Sequence, residues 1–428
     1  MLSAFRNALK IPELRGKILF TVAIIAIYRL GSHLPVPGVD FKSVQKFLES
    51  AGAQNNGAFN LINLFSGGAL TQFAIFALGI MPYITSSIIM QLLGVVIPRL
   101  EALQKEGETG RKKIQQYTRY VTVALALLQS AGIVTLAHRG GLLPNVDIFP
   151  GLTSGRFALA VLTLTAGTAF IMWLGELITQ RGIGNGMSIL IFAAIVAQLP
   201  SQGANILRSN GGFIFGVMCA LGLAIIVFVI WIEQAQRRIP VQYAKRMVGR
   251  RMYGGSSTYI PLKVNQAGVI PIIFASSLLY LPSLLASIVN KPWFTSFTEQ
   301  FTRTGTHPAY IIGYFVLIIA FAYFYNSIAF NPVDTADNMK KYGGFIPGIR
   351  PGKPTAEYLN HIMTRITLPG ALFLAAIAIL PFIVLAAGNV QQFPFGGTAI
   401  LITVGVGLET MKQIESQLLM RNYEGFLR

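Results

Sequence analysis

The chain has 428 residues, of which 53% are hydrophobic and only 12% charged, and its mean hydropathy is +0.58. Soluble globular domains run nearer one quarter charged, so this composition excludes an ordinary water-soluble protein and leaves a membrane protein. The formal net charge is +18 and Cys219 is the single cysteine, which excludes an intrachain disulfide and offers no redox chemistry.

The first apolar run follows Lys17, continues to Tyr28 and ends at Arg29-Leu-Gly-Ser-His-Leu-Pro without a small-x-small cleavage pattern. It reads as a membrane span, not a cleavable signal. Stretches of roughly 20 mostly apolar residues are long enough to cross a bilayer. Spans are expected near 18–34, 71–97, 117–137, 155–175, 184–200, 212–232, 267–288, 309–330, 366–387 and 397–414. Each must be a helix, because lipid offers no partner to a free backbone group. A β-barrel would show short alternating segments, and the sequence has none.

Between the first two spans lies Phe59-Asn-Leu-Ile-Asn-Leu-Phe-Ser-Gly-Gly-Ala-Leu70. It is apolar but too short to cross, and Gly67-Gly68 breaks it from the second span. It fits a re-entrant or interfacial half-helix. One reading is a helix resting on the outer leaflet. The sharper one is a movable stopper at a pore, hinged at the glycines.

Positive charge alternates between connections. Arg6, Lys10, Arg15 and Lys17 precede the first span; Arg99, Lys105, Arg111, Lys112 and Lys113 fill the second connection. The sixth carries Arg237, Arg238, Lys245, Arg246, Arg250, Arg251 and Lys263, and the eighth Lys340, Lys341, Arg350, Lys353 and Arg365. The odd-numbered connections are balanced or sparse. This is the positive-inside pattern, and with ten spans it places both termini in the cytoplasm. The sixth and eighth connections, about 233–264 and 331–365, hold Gly254-Gly255 and Pro347-Gly348-Ile349-Arg350-Pro351-Gly352. Long connections of this kind are functional or disordered; these read as ordered, hairpin-like protrusions with charged tips. Their charge either only orients the chain or meets an anionic partner: lipid, an acidic protein or RNA.

Familiar chemistry is missing. His33, His138, His307 and His361 are too scattered for a local metal motif, and no HExxH, P-loop or dinucleotide fingerprint is present. No cofactor or metal is expected. The spans contain almost no acidic residues, which leaves coupled transport few carriers. Glu176 and Glu409 lie near cytoplasmic ends and read as interfacial; Arg29, near an outer end, can snorkel or pair. Isoleucines recur: Ile80 and Ile84 bracket Pro82, Ile270 and Ile273 bracket Pro271, and Ile191 and Ile402 lie mid-span. By spacing alone they are lipid-facing or core residues. Thr85, Ser86, Ser87, Gln91, Thr122 and Asn265 bring polarity into apolar spans, where each interhelical hydrogen bond is worth only about 1 kcal/mol. A seam held so weakly can open. Two sets of five spans, residues 1–200 and 201–428, suggest an inverted repeat.

Several motifs resemble the bacterial SecY family. These are Ala77-Leu-Gly-Ile-Met-Pro-Tyr-Ile84, Lys105-Glu-Gly-Glu-Thr-Gly-Arg-Lys-Lys-Ile114, Trp173-Leu-Gly-Glu, Arg181-Gly-Ile-Gly-Asn-Gly186, Tyr243-Ala-Lys-Arg246, Pro261-Leu-Lys-Val-Asn265, Ala267-Gly-Val-Ile-Pro-Ile-Ile-Phe-Ala275 and Phe345-Ile-Pro-Gly-Ile-Arg-Pro-Gly352. The resemblance covers nearly the whole chain. It implies an all-α polytopic protein, with ten transmembrane helices in two inverted halves around an hourglass pore. Unfolded secretory chains pass through that pore, and transmembrane segments leave sideways into the cytoplasmic membrane. It further implies an apolar waist ring of Ile80, Ile84, Ile191, Ile273 and Ile402 with Ile270 beside it. The plug falls on Asn60, Leu64, Phe65, Ser66, Gly67 and Gly68, and the lateral gate on Ser87, Gln91, Thr122 and Asn265. Met187, where the family often has Ile, is apolar and leaves the seal intact. Docking for the motor SecA and for the ribosome with its RNA is implied at Lys105, Lys245, Arg246, Arg250, Arg251, Lys340, Lys341 and Arg350. SecE, SecG, anionic lipids and secretory and membrane protein substrates complete the implied partners. A solute transporter would need charged groups at the midplane, and an intramembrane enzyme a buried Ser-His, Asp pair or metal cluster; the spans supply neither.

Overall fold

The computed structural model describes residues 11–40, 44, 63, 65–138, 149, 153–243, 246–248, 251–253, 257–289, 308–388 and 397–426. Helices α1 (Pro12–Gly31), α2 (Met81–Val96), α3 (Pro98–Lys105), α4 (Glu108–His138), α5 (Ser154–Arg181) and α6 (Gly186–Gln234) come first. The strands β1 (Gln236–Tyr243), β2 (Arg246–Val248), β3 (Arg251–Tyr253) and β4 (Ser257–Lys263) come next. Then come α7 (Ile270–Val289), α8 (Pro308–Ala329), α9 (Pro332–Lys341), β5 (Gly344–Phe345), α10 (Lys353–Gly388) and α11 (Gly397–Phe426).

Every expected span falls at least in part on a helix. Five stretches are, taken singly, long and apolar enough to cross a bilayer: Ser154–Arg181, Gly186–Arg208, Gly211–Gln234, Pro308–Lys341 and Lys353–Leu380. The pair α2 and α3 makes a sixth, bent by 100° at Ile97–Pro98. Proline at the start of α3 has no N–H to give a preceding turn, which ends α2 there. Helix α6 is two spans merged: Gly211, at φ +81°, breaks it between them.

The second span departs from expectation. Residues 71–80 are not helical; helix begins only at Met81, with Pro82 in its first turn. Phe73 (φ +45°) and Gly79 (φ +56°) hold the chain in tight turns, and the segment is almost wholly buried. Its backbone is satisfied by residues 34–36: Val36 N–H donates to Phe73 O (2.9 Å) and Ile75 N–H to Leu34 O (2.8 Å). Irregular backbone at membrane depth is stable only when enclosed by protein in this way.

Buried side chains form separate clusters. One draws on Val36, Leu70, Phe73, Leu78, Ile133, Val134 and Leu164. Another draws on Ile225, Val229, Ile272, Tyr314, Ile318, Leu374 and Leu401. A third gathers around Phe65 and takes residues from both sides of position 200.

The two long connections fold together. β1 pairs antiparallel with β4 from Gln236↔Lys263 to Gln242↔Ser257, and with β5 at Gln242↔Phe345 and Tyr243↔Gly344. The sheet order is therefore β4-β1-β5, with β2-β3 a separate ribbon. Pro240 is tolerated inside β1 because β5 reaches only the end of that strand. Ile239 and Val241, two apart and so on one face, pack with Leu262, Met339, Ile346, Leu359 and Met363. The protrusions share this core and form one body.

Glu176, near the C-terminal end of α5, does not stand free. It is buried, and Arg119 of α4 grips it in a fork: Nε donates to Oε1 and Nη2 to Oε2, both at 2.7 Å. Gln115 Nε2 adds a third bond at 3.2 Å. The pair ties α4 to α5. Removing one member of a buried pair leaves a charge stranded, although Arg119 keeps 42% of its side chain exposed. Glu176→Ala is expected to destabilise the protein by about 2 kcal/mol, lowering its melting temperature in detergent. Glu176→Gln should lose less, because its amide oxygen still accepts from Arg119.

Candidate functional site: an occluded waist

Ile80 caps the start of α2 and Ile84 sits one turn on, joined by the Ile84 N–H to Ile80 O bond of 3.1 Å. Ile191 lies near the start of α6, Ile273 in the first turn of α7 and Ile402 in the second turn of α11. All five are buried in a single cluster with Phe65, Ala69, Ala194, Ile195 and Phe274, and Ile270 packs on its rim. Phe65 is 1% exposed and Ile402 0%. Branched side chains and the Phe65 ring thus share one buried apolar cluster.

The described part of the stopper is Asn63 and Phe65 onward; Asn60 and Leu64 lie outside the described residues. Phe65–Ser66 is helical and Gly67–Gly68 turns away at φ +68° and +88°. Ser66 is fully buried, its hydroxyl donating to Asn63 O (3.2 Å) and accepting from Leu70 N–H (3.3 Å). A Cβ on Gly67 would stand 3.1 Å from the Ala194 Cα, and one on Gly79 3.0 Å from the Phe65 carbonyl. Both glycines are needed because backbone meets backbone there.

Between the halves, α7 packs against α2 and α4. Ser87 and Gln91 are half-buried on α2. Thr122 is buried, but its hydroxyl donates to Thr118 O of its own helix (2.7 Å), so it binds nothing across the seam. Asn265 donates through Nδ2 to Glu233 Oε2 (2.8 Å) and to Gly268 O (3.2 Å), both in the second half. Ser86, which the sequence singled out only as polar, ties α2 to α4 by donating to Thr118 O at 2.7 Å. Among the described residues these four expected gate residues make no hydrogen bond to one another.

The charged tips divide. Lys245 and Arg250 lie outside the described residues; Arg246 and Arg251 sit on the β2-β3 ribbon, opposite Tyr253 and Val248. Arg350 is exposed in the turn Pro347–Gly352, its carbonyl accepting from the Thr355 hydroxyl at 2.8 Å. Lys340 and Lys341 are exposed at the end of α9. Lys105 is engaged: its ammonium bonds Glu101 at 2.7 Å. That hydrogen bond, with the charge behind it, holds the Glu101 carboxyl below and the Lys105 ammonium above their usual ranges. No group of His, Cys, Asp and Glu among the described residues is arranged to hold a metal.

A family model described as SecY matches residues 74–411. The protein translocase subunit SecY of Streptomyces galbus is 60% identical over 445 residues, covering 100% of both chains. The chain belongs to the SecY family. The protein translocase subunit SecY of Mycobacterium tuberculosis is 57% identical over 441 residues, again covering 100% of both chains. Among solved structures, a protein conducting channel superposes with a TM-score of 0.65 at 18% identity over 96% of each chain. The Sec61 of a canine ribosome-channel complex from the endoplasmic reticulum gives 0.62, also at 18% identity over 96% of each chain. As a SecY-family protein the chain is a translocase channel subunit of the bacterial membrane, not an enzyme.

Sequence reading missed Tyr28, Gln198, Arg119 and Glu233. None of them stands in a motif that marks it, and their partners are distant in sequence. Placing an amide at the fully buried Ile402 position strands polar atoms in the waist. Ile402→Asn is expected to insert normally and to raise the resting ion conductance of reconstituted vesicles on the order of tenfold.

Proposed function

We propose that the isoleucine cluster is the waist of the translocation pore and that residues 60–70 are its plug, held shut in this conformation. The observation that carries this reading is that Phe65 is buried in one apolar cluster with Ile80, Ile84, Ile191, Ile273 and Ile402. A narrow apolar constriction dewets and so resists ions. The same flexible side chains can part around an unfolded polypeptide of any sequence and close again behind it. Residues 1–200 and 201–428 act as the two halves. The seam where α7 meets α2 and α4 is the lateral gate, and Ser87, Gln91, Thr122 and Asn265 are its polar members. Thr122 contributes by rigidifying α4, and Asn265 by tying the start of the seventh span to Glu233.

The chain itself carries no energy source. In this reading SecA or a translating ribosome docks on the cytoplasmic body, and SecE and SecG complete the channel. Both termini face the cytoplasm with the basic connections. Arg350, Lys340, Lys341, Arg246 and Arg251 supply the charge, joined by Lys245 and Arg250. Guanidinium groups suit phosphate and carboxylate alike, so the same surface serves ribosomal RNA, an acidic motor face or anionic lipid. Lys105 contributes less, because Glu101 already neutralises it.

Arg350→Glu tests this assignment. Its side chain is exposed, so folding and insertion should be unchanged, while motor-driven export of a secretory precursor into vesicles falls at least about tenfold. Export at the unaltered rate, with the variant correctly inserted, would remove the docking role.

A further inference from the structure

Three side-chain donors converge on the main chain of the stopper. The Tyr28 hydroxyl donates to Ser66 O (3.2 Å), the Arg29 guanidinium through Nη1 to Gly67 O (3.0 Å), and the Gln198 amide through Nε2 to Asn63 O (2.6 Å). These acceptors lie at the end of the helical turn through Phe65–Ser66, where it gives way to the glycines; Asn63 O and Ser66 O also accept locally from Gly68 N–H (3.1 Å) and Ala69 N–H (3.4 Å), so the side-chain donors add a second bond to each. A cation is also favoured at that end.

The donors are themselves fixed. Ser32 Oγ donates to Arg29 O at 2.7 Å, and His33 Nδ1 lies 2.8 Å from the same carbonyl. Gln198 Oε1 accepts from Gln202 Nε2 at 3.1 Å, which sets the Gln198 amide with its nitrogen toward Asn63. Tyr28 is buried and stacked on Phe76 with ring centroids 5.9 Å apart. All three donors precede residue 200. Among the described residues, no hydrogen bond of the stopper reaches the second half, whose contribution to the waist is apolar contact from Ile273 and Ile402.

We propose that Arg29, supported by Tyr28 and Gln198, is a positioning residue that latches the stopper to the first half of the channel through its backbone. Release of the stopper is then a step distinct from the parting of the halves. Because the acceptors are carbonyls, the latch does not depend on the stopper's side chains. The latch rests on the assignment of the isoleucine cluster as the pore waist.

The test uses the full chain with its partner subunits in lipid vesicles, in a Cys219→Ser background. Resting conductance and export of a precursor with a defective signal are measured, with and without an engineered disulfide locking α2 to α7. Arg29→Ala should raise resting conductance about tenfold or more and admit the defective precursor when the gate is free. The conductance rise should persist with the gate locked. Arg29→Lys should restore most of the wild-type seal, since an ammonium still donates to Gly67 O. Wild-type conductance and selectivity in Arg29→Ala would overturn the latch, as would a rise that locking the gate abolishes, or a failure of Lys to rescue. If Arg29→Ala does not insert, Gln198→Met, which keeps bulk and loses the donor, should show the same rise in smaller measure; no rise would overturn the proposal. Ile402→Asn serves as control. If it leaks and the latch variants do not, only the latch falls; if neither leaks, the pore reading fails with it.

Discussion

The structure depends on one constraint: a backbone group at membrane depth must find its partner inside the protein. Helices meet it along their own length, and most of this chain is helical for that reason. Residues 67–80 meet it only in part, through local turns, and neighbouring residues supply further partners. Leu34 and Val36 pair with Phe73 and Ile75. Tyr28, Arg29 and Gln198 bond the carbonyls before and at the glycine turn. The apolar ring then removes Phe65 from water. A segment held by side-chain donors and greasy contact can leave without unravelling a helix, as a stopper requires.

The clusters divide the energetics in a corresponding way. Each side of position 200 has a buried cluster of its own. The larger cluster that joins them is rich in isoleucine, alanine and phenylalanine, which give contact area without directional bonds, and a smaller one adds Leu14, Ile183 and Ile414. Hydrogen bonds at the seam stay on one side of it: Ser86 to Thr118, Asn265 to Glu233. The body built from two separate connections around Leu359 and Val241 is stiffer than two free loops and presents Arg350 from a pinned turn.

Much of this was legible in the sequence. Hydropathy located the long helices, the alternation of Lys and Arg marked the long connections, and Gly67-Gly68 marked a turn at positive φ. Spacing alone read the isoleucines as lipid or core residues; only the family motifs assigned them to a ring, and the fold brings them together. What escaped had physical reasons. The apolar stretch 71–80 looked like helix because hydropathy does not register positive φ at Phe73 and Gly79. The pairing of Glu176 with Arg119 escaped because the two are distant in sequence. Two protrusions looked separate because the pairing of β1 with β5 joins residues a hundred positions apart, beyond any local pattern.

The central claim is that polypeptide crosses where Ile80, Ile191, Ile273 and Ile402 meet. The most direct measurement places a photoreactive group at each in turn, with a secretory precursor stalled midway through export. All four should label the precursor, while Val227 and Val316, exposed on α6 and α8, should label lipid only. Labelling absent from all four in correctly inserted protein, or equal at the two control positions, would contradict the account.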